Sequence, residues 1–145
     1  YSNMNINSLL EELQESLEKE FKDNFTGLVL FGSYARGTQK PTSDVDLLLT
    51  FKNLPKNSYD RSDLFLDILI NLEYRYNIDI NAIYAEEREL SKSPLLVDIA
   101  LYAKILKDEN KRISKLFINI KKDYEKGVYK KIPRKNHYTL YMQNV

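Results

Sequence analysis

The stretch FGSYARGTQKPTSDVDLLL, which runs from Phe31 to Leu49, contains the features that decide the fold. A short apolar run ends in the turn Gly32-Ser33, and a polar loop that contains a proline follows it. A second apolar run then begins with two aspartates, Asp44 and Asp46, separated by one residue. Two like charges at the edge of a core strand repel each other, so either one of them takes up a proton or a cation lies between them.

The spacing of the two aspartates puts both carboxylates on one face of a strand. Side chains at positions i and i+2 of a β-strand point to the same side and lie roughly 7 Å apart. Val45 and Leu47 then point to the other side, into a core. Carboxylate oxygens suit a hard ion such as Mg²⁺, and one divalent ion offsets the charge of both side chains.

Asp79 is the candidate for a third carboxylate. It lies between Ile78 and Ile80 in a segment with the period-2 alternation of a strand, where an unpaired charge is costly. If this strand is a neighbour of the strand that begins at Asp44, Asp79 joins the same group of acids. Asp98 is a weaker candidate, because its surroundings have the spacing of a helix.

The Gly-Ser turn offers a place for a phosphate group beside these acids. Glycine at position 32 allows a ligand to approach the backbone closely. Ser33 supplies a hydroxyl group and an N–H, and Arg36 supplies a positive charge that can pair with phosphate. A phosphate site next to a Mg²⁺ site is typical of phosphoryl or nucleotidyl transfer.

Hydrophobic periodicity predicts alternating helices and strands along the chain. The predicted helices span residues 8–22, 58–76, 95–102 and 108–126, and the predicted strands span residues 27–31, 44–51, 78–84 and 103–106. Ser8 and Glu11 match a capping box at the start of the first helix, and Gly127 is expected to end the last one. This order of elements predicts an α/β or α+β fold in which helices flank a small sheet.

Composition indicates one globular domain with an uneven distribution of charge. Of the 145 residues, 43% are hydrophobic and 30% are charged, and no apolar stretch reaches the roughly 20 residues that span a membrane. With no cysteine and no signal segment, we expect a cytoplasmic protein. Residues 1–103 contain 10 basic and 17 acidic side chains, whereas residues 104–145 contain 12 and 4. The basic third favours a nucleotide, nucleic acid or an acidic protein surface as partner, or is a solvated helix face.

The two motifs together resemble the signature of a known family. Gly32-Ser33-Tyr34-Ala35-Arg36-Gly37, followed by Ser43-Asp44-Val45-Asp46-Leu47, is similar to the G-S-x-A-R-G…S-D-x-D-L signature of the DNA polymerase β-like nucleotidyltransferases. The resemblance is closest to the minimal nucleotidyltransferase (MNT) type and covers about residues 25–107. It implies a small mixed sheet flanked by helices, with an extra C-terminal helix. The chain is accordingly divided into a nucleotidyltransferase domain over residues 4–107 and a C-terminal helix and basic tail over residues 108–145.

For the site, the resemblance implies a nucleotidyl transfer that uses two metal ions. The side chains that would bind two Mg²⁺ ions and act as the catalytic acids are Asp44, Asp46 and Asp79. Gly32 and Ser33 would bind the β- and γ-phosphates of ATP or another nucleoside triphosphate, and Arg36 would either contact phosphate or brace the loop. The acceptor oxygen would attack the α-phosphorus and release pyrophosphate.

The same resemblance implies a protein partner. MNT proteins commonly accompany HEPN-domain toxins, and members of this type act as antitoxins that transfer AMP to a tyrosine hydroxyl group of the toxin. We therefore expect a protein adenylyltransferase in a homo- or hetero-oligomer, with no membrane partner and no role in nucleic-acid polymerisation. Two alternatives stay open: a nucleotidyltransferase for a small acceptor such as an aminoglycoside, and a module that neutralises a toxin by binding alone.

Overall fold

The computed structural model describes the backbone of residues 5–133 and 138–142 and the side chains of residues 5–129. The first half of the chain contains α1 (Ile6–Phe21), β1 (Phe25–Phe31), the short helix α2 (Ser33–Arg36), β2 (Val45–Phe51) and α3 (Ser58–Tyr76). The second half contains β3 (Ile80–Glu86), α4 (Pro94–Tyr102), β4 (Lys104–Asp108), α5 (Arg112–Glu125), β5 (Tyr129–Pro133) and β6 (Tyr138–Met142). Within these described ranges, no helix has the length and apolar character that a membrane span requires.

Four strands form one mixed sheet in the order β3-β2-β1-β4. β1 pairs antiparallel with both β2 and β4, whereas β2 pairs parallel with β3. β5 and β6 form a separate two-stranded antiparallel ribbon, in the part of the tail that the sequence pattern leaves unassigned. The predicted fold class, a small mixed sheet with helices packed on it, is confirmed.

Helices cover both faces of this sheet, because its central strands carry apolar side chains on both sides. One face packs against α1 and α3 through a cluster that includes Leu13, Leu47 and Phe65. The other face packs against α4 and α5 through a cluster that includes Leu48 and Phe117. The consecutive residues Leu47 and Leu48 thus lie in different cores, since successive side chains of a strand point to opposite faces.

The first helix begins earlier than the sequence pattern predicts. The side chain of Asn5 accepts hydrogen bonds from the N–H groups of Asn7 and Ser8 at 3.1 and 3.2 Å, so the cap precedes Ile6. Asparagine is a strong N-cap residue, because its side-chain oxygen satisfies N–H groups that have no acceptor within the helix. The predicted capping box at Ser8 and Glu11 is therefore wrong.

The last helix, α5, begins later than predicted, at Arg112. Asp108 ends β4 instead of starting the helix. Its carboxylate accepts hydrogen bonds from the N–H groups of Ile113 and Ser114 at 3.3 and 2.8 Å. This acid thus caps the helix from the preceding strand, a contact that periodicity does not reveal. Gly127 follows the helix with a φ of 77°, as predicted for the residue that ends it.

The predicted division of the chain between residues 107 and 108 falls inside β4. The helix that follows, α5, contributes Ile113, Phe117 and Ile120 to the core on one face of the sheet. The C-terminal helix is therefore packed onto the sheet, and the assignment of residues 4–107 and 108–145 to separate units stays a prediction.

A cluster of aromatic rings joins α1 and α3 to the sheet, with Phe65 at its centre. The centroid of the Phe65 ring lies 4.9 Å from that of Phe51, 4.6 Å from that of Tyr84 and 5.0 Å from that of Phe21. The side chain of Phe65 is 0% exposed. Such pairs add to the free energy that burial of the rings already provides.

We predict that Phe65→Ala lowers the free energy of unfolding by about 3–5 kcal/mol, because the substitution leaves a cavity among these rings. Leu64→Ala is the matched control, since the preceding side chain is 46% exposed and its loss should cost about 0.5 kcal/mol or less. Denaturant unfolding of both variants, followed by circular dichroism, measures the difference. Equal losses in the two variants would show that the aromatic cluster does not stabilise the fold.

Candidate active site

Asp46 lies where three adjacent strands meet. It pairs with Phe31 of β1 on one side and with Asn81 of β3 on the other. Its carboxylate accepts a hydrogen bond from the side-chain amide of Asn81 at 3.1 Å. By strand alternation it shares a sheet face with Leu48, the face that packs against α4 and α5. The helices on that face leave the Asp46 end of the strands half-exposed.

The backbone of Gly32 packs directly against the Asp46 carboxylate. Gly32 follows β1 with a φ of 73°, and a Cβ atom at this position would overlap Oδ2 of Asp46. Glycine is therefore required at this position for two reasons. Other residues rarely adopt this φ, and a side chain would have no space beside the carboxylate. α2 begins at the next residue, Ser33. The Gly-Ser turn and the second aspartate, which are distant in the sequence, are thus neighbours in the structure.

Asp44 and Asp79 lie side by side at the starts of β2 and β3. The N–H of Val45 donates a hydrogen bond to the backbone carbonyl of Asp79 at 2.9 Å. The register that pairs Val45 with Ile80 places Asp44 opposite Asp79. Both residues line one cleft of about 500 Å³. Asp79 precedes β3 and is exposed, so the interpretation that it is a charge within an apolar strand is wrong.

The three predicted acids lie near the starts of β2 and β3 without forming a closed metal site. Asp46 lies within β2, where it pairs with Asn81, whereas Asp44 and Asp79 precede the paired residues Val45 and Ile80. In the part of the chain that the structure describes, no group of three Asp, Glu, His or Cys residues is arranged to hold a metal ion. Their assignment as joint metal ligands and catalytic acids stays a prediction.

The negative charge on Asp46 is unfavourable in this structure. Burial raises the pKa of its carboxyl group, and the hydrogen bond from Asn81 lowers it. The charge of Asp44 raises this pKa further, whereas the charge of Arg36 lowers it. The net effect is a pKa above the ordinary value for aspartate, which a cation bound beside Asp46 would offset.

Arg36 ends α2 and is exposed. Its guanidinium carbon lies 5.8 Å from the centroid of the Tyr102 ring, at the end of α4. This cation–π contact restricts the side chain, while the charge acts on Asp46. The predicted contacts of Gly32, Ser33 and Arg36 with phosphate stay predictions. Asp98, the weaker candidate, is exposed on α4.

Sequence reasoning missed two side chains of this region, Asn81 and Tyr102. Asn81 follows Asp79 by two residues, so period-2 alternation predicts that both side chains lie on the same face. This spacing is the signal from which Asn81 could have been found. Tyr102 meets Arg36 only because α4 folds back across the end of α2. Nothing in the local sequence of Tyr102 indicates this contact.

The chain belongs to the nucleotidyltransferase domain family, whose model matches residues 10–123. A protein of Methanocaldococcus jannaschii named "Putative protein adenylyltransferase MJ1305" is 37% identical over 137 residues, which cover 83% of this chain and 93% of that protein. A second protein with the same descriptive name, MJ0604 of the same organism, is 30% identical over 89 residues, which cover 61% of this chain and 82% of that protein. The family that the two sequence motifs resemble is therefore confirmed, and the chain is a nucleotidyltransferase.

Solved structures have the same fold. The crystal structure of a toxin–antitoxin with AMP-PNP is similar with a TM-score of 0.54 at 19% identity, over 80% of this chain and 87% of that chain. The crystal structure of a mutant of the toxin–antitoxin MntA-HpeT is similar with a TM-score of 0.55 at 18% identity, over 86% and 89%. At these identities the likeness shows the fold alone.

We predict that Gly32→Ala abolishes nucleotidyl transfer, because the added methyl group displaces the Asp46 carboxylate. Gly37→Ala is the matched control: Gly37 has a φ of 74°, but no atom lies within 4 Å of an added Cβ. The control should lose only about 1–2 kcal/mol through backbone strain and keep its activity. Transfer from ATP labelled at the α-phosphate, with thermal unfolding of both variants, separates the two effects. Equal loss of transfer in both variants would contradict the prediction.

We predict that Asp46→Asn raises the free energy of unfolding at pH 7 in the presence of a chelator. Because the pKa of Asp46 is raised in the folded state, the folded chain binds this proton more readily than the unfolded chain. Stability therefore falls as pH rises through this pKa, and the variant escapes that loss. The gain should vanish below the ordinary pKa of aspartate, near 3.8.

Denaturant unfolding at several pH values measures this gain, with the exposed Asp98→Asn as control. If Asp46→Asn is less stable than the wild type at pH 7, the carboxylate has a structural role and the prediction is wrong.

Proposed function

We propose that this chain is a Mg²⁺-dependent protein adenylyltransferase that acts as an antitoxin. It transfers AMP from ATP to a tyrosine hydroxyl group of a HEPN-type partner toxin. The family of the chain, its similarity to putative protein adenylyltransferases and the likeness of its fold to toxin–antitoxin structures support this proposal. The observation that carries it is the contact between Gly32 and Asp46, because this contact puts the proposed phosphate-binding turn directly beside the acid pair.

The chemistry of the available ligands fits Mg²⁺. Asp44, Asp46 and Asp79 offer carboxylate oxygens near the starts of β2 and β3, and they are the side chains that would hold two such ions. The charge of the half-buried Asp46 is unfavourable without a cation, which favours an occupied site. When bound, Mg²⁺ neutralises negative charge that develops on the phosphate oxygens.

Residues around the turn would orient the nucleotide. Gly32 and Ser33 would bind the β- and γ-phosphates, to which Ser33 offers its N–H and hydroxyl group. Arg36 adds a positive charge near Asp46. The acceptor oxygen then bonds to the α-phosphorus while the bond from this phosphorus to the leaving pyrophosphate breaks. The proton of the acceptor hydroxyl passes to Asp79 or to water.

We predict that the wild-type chain, incubated with Mg²⁺ and ATP labelled at the α-phosphate, labels a tyrosine of the toxin encoded beside its gene. Asp46→Asn should reduce the rate by at least about 100-fold, because a carboxylate that balances charge at the reacting phosphate is lost. Asp98→Asn, an exposed carboxylate of α4, should label the toxin as the wild type does. Mass spectrometry of the toxin identifies the modified residue.

Two other functions predict different results in the same experiment. Label on an aminoglycoside and on no protein would indicate a small-molecule nucleotidyltransferase. Neutralisation of the toxin by Asp46→Asn as complete as that by the wild type would indicate a module that acts by binding. If another nucleoside triphosphate labels the toxin and ATP does not, the nucleotide donor differs from the proposed one but the type of reaction is the same.

A further inference from the structure

The end of α4 lies beside the Gly-Ser turn, because the strand that follows this helix is paired with β1. α4 ends at Tyr102, and β4 begins two residues later, at Lys104. The register of the two strands sets Lys104 opposite Leu30, which precedes Gly32 by two residues. The helix itself is fixed to the sheet through buried side chains such as Val97. Tyr102 is therefore held next to the turn by the fold and not by its local sequence.

The backbone of α2, which carries Arg36, is fixed to the same turn. The N–H groups of Ala35 and Arg36 both donate hydrogen bonds to the carbonyl of Gly32 at 3.2 Å. The side chain of Ala35 is buried in the core that α1 shares. The Cα atom of Arg36 thus has a defined position one helical turn from Gly32. The long side chain beyond it has several rotatable bonds, so the guanidinium group needs a contact of its own to stay in one place.

The ring of Tyr102 provides that contact. The guanidinium carbon of Arg36 lies 5.8 Å from the ring centroid, within the range of cation–π attraction. The ring is 49% exposed, so burial in the core does not account for its position. α4 packs on the face of the sheet that Asp46 shares with Leu48, and the guanidinium group is therefore held on the Asp46 side. Its charge acts on that carboxylate, whose pKa it lowers.

Arg36 differs from the arginines that stabilise the fold. Three of those pair with glutamate side chains at 2.7–2.9 Å: Arg61, Arg75 and Arg88. Among the side chains that the structure describes, by contrast, no carboxylate forms an ion pair with Arg36. The cation–π contact uses the charge of the guanidinium group and engages no oxygen acceptor. Its N–H groups are thus available to an anionic ligand.

We propose that Tyr102 is a positioning residue of the nucleotide site, whose ring holds the Arg36 guanidinium group where it binds the β- and γ-phosphates. This inference rests on the proposed role of Arg36 and names the side chain on which that role depends. Tyr102 contacts Arg36 and not the nucleotide. A guanidinium group that is already restrained loses less conformational freedom when phosphate binds, so the ring raises the affinity for the nucleotide.

A double-mutant cycle on the full chain tests whether Tyr102 acts through Arg36. Calorimetric titration with Mg²⁺ and α,β-methylene ATP, which is not cleaved between the α- and β-phosphates, measures nucleotide binding without transfer. We expect Arg36→Ala to raise Kd about tenfold or more, because charge-assisted hydrogen bonds to phosphate are lost. Tyr102→Ala should raise Kd about two- to fivefold. The double variant should bind no more weakly than Arg36→Ala alone, since the ring has nothing left to position.

Two further substitutions separate the ring from its bulk. Tyr102→Phe should keep the wild-type Kd, because a phenyl ring also attracts a cation. Tyr102→Leu should bind as weakly as Tyr102→Ala, although it keeps an apolar side chain of similar length. Tyr59→Ala is the matched control, since Tyr59 is a tyrosine that is 76% exposed on α3, at the opposite face of the sheet. Thermal unfolding of each variant identifies any loss of affinity that comes from loss of the fold.

Several results would overturn the inference. An equal rise in Kd on Tyr102→Ala with and without Arg36 would show that the ring contacts the nucleotide directly, for instance by stacking on the base. A wild-type Kd in Tyr102→Leu would assign the effect to apolar bulk. A wild-type Kd in Arg36→Ala, or no binding by the wild type, would remove the phosphate contact that Tyr102 is inferred to support.

The proposed function is tested separately, by the labelling of the toxin. If the wild type labels the toxin and the cycle shows no coupling between Tyr102 and Arg36, only the role of Tyr102 is wrong. If the cycle shows the coupling and the wild type labels no toxin, the proposed acceptor is wrong and the positioning role of Tyr102 in nucleotide binding is supported.

Discussion

The close packing of the Gly32 backbone against the Asp46 carboxylate is the constraint on which the rest of the site depends. It exists because β1 and β2 are antiparallel neighbours in a register that sets Phe31 opposite Asp46. A slip of one residue in this register would turn Asp46 into the core that contains Leu47, where an unpaired charge is costly. The alternation of apolar side chains along β2 fills the two cores. The same alternation therefore fixes the position of Asp46 beside the Gly-Ser turn.

The unfavourable electrostatic free energy is concentrated at Asp46, whereas the stabilising burial of apolar side chains is spread over the rest of the molecule. Desolvation raises the pKa of Asp46, and the nearby charge of Asp44 adds to the cost of ionising it. The leucine and phenylalanine side chains on both faces of the sheet provide the stability against which this cost is set. A conflict between charge and burial at one point of an otherwise consistent fold is typical of a functional site.

The packing of helices on the two faces of the sheet also separates the acidic and basic parts of the chain in space. The acidic helix α3 lies on the face of the sheet that α1 shares, and the basic helix α5 lies on the opposite face with α4. The cleft that Asp44 and Asp79 line opens at the end of α3, whereas Asp46 shares with Leu48 the face that packs against α4 and α5.

Much of the fold was open to prediction from the sequence because it depends on local periodicity. The limits of α3 were predicted to the residue, and the Gly-Ser turn and the aspartates Asp44 and Asp46 at the start of β2 were recognised from their spacing. The residues that cap α1 and α5 were not predicted. Asn5 precedes the apolar pattern of α1, and Asp108 caps α5 from the end of a strand. Asp79 was predicted as a member of the acid group, but its exposed position before β3 was not.

The sequence by itself determined the family, the central strands and the residue types of the site, since these follow from patterns that neighbouring residues share. Only the tertiary structure decided which of these groups meet. The overlap that excludes a side chain at Gly32, the hydrogen bond from Asn81 to Asp46 and the cleft between Asp79 and Tyr74 each join separate elements. Such contacts depend on strand order and register, which are set by the packing of the whole sheet and not by any local stretch.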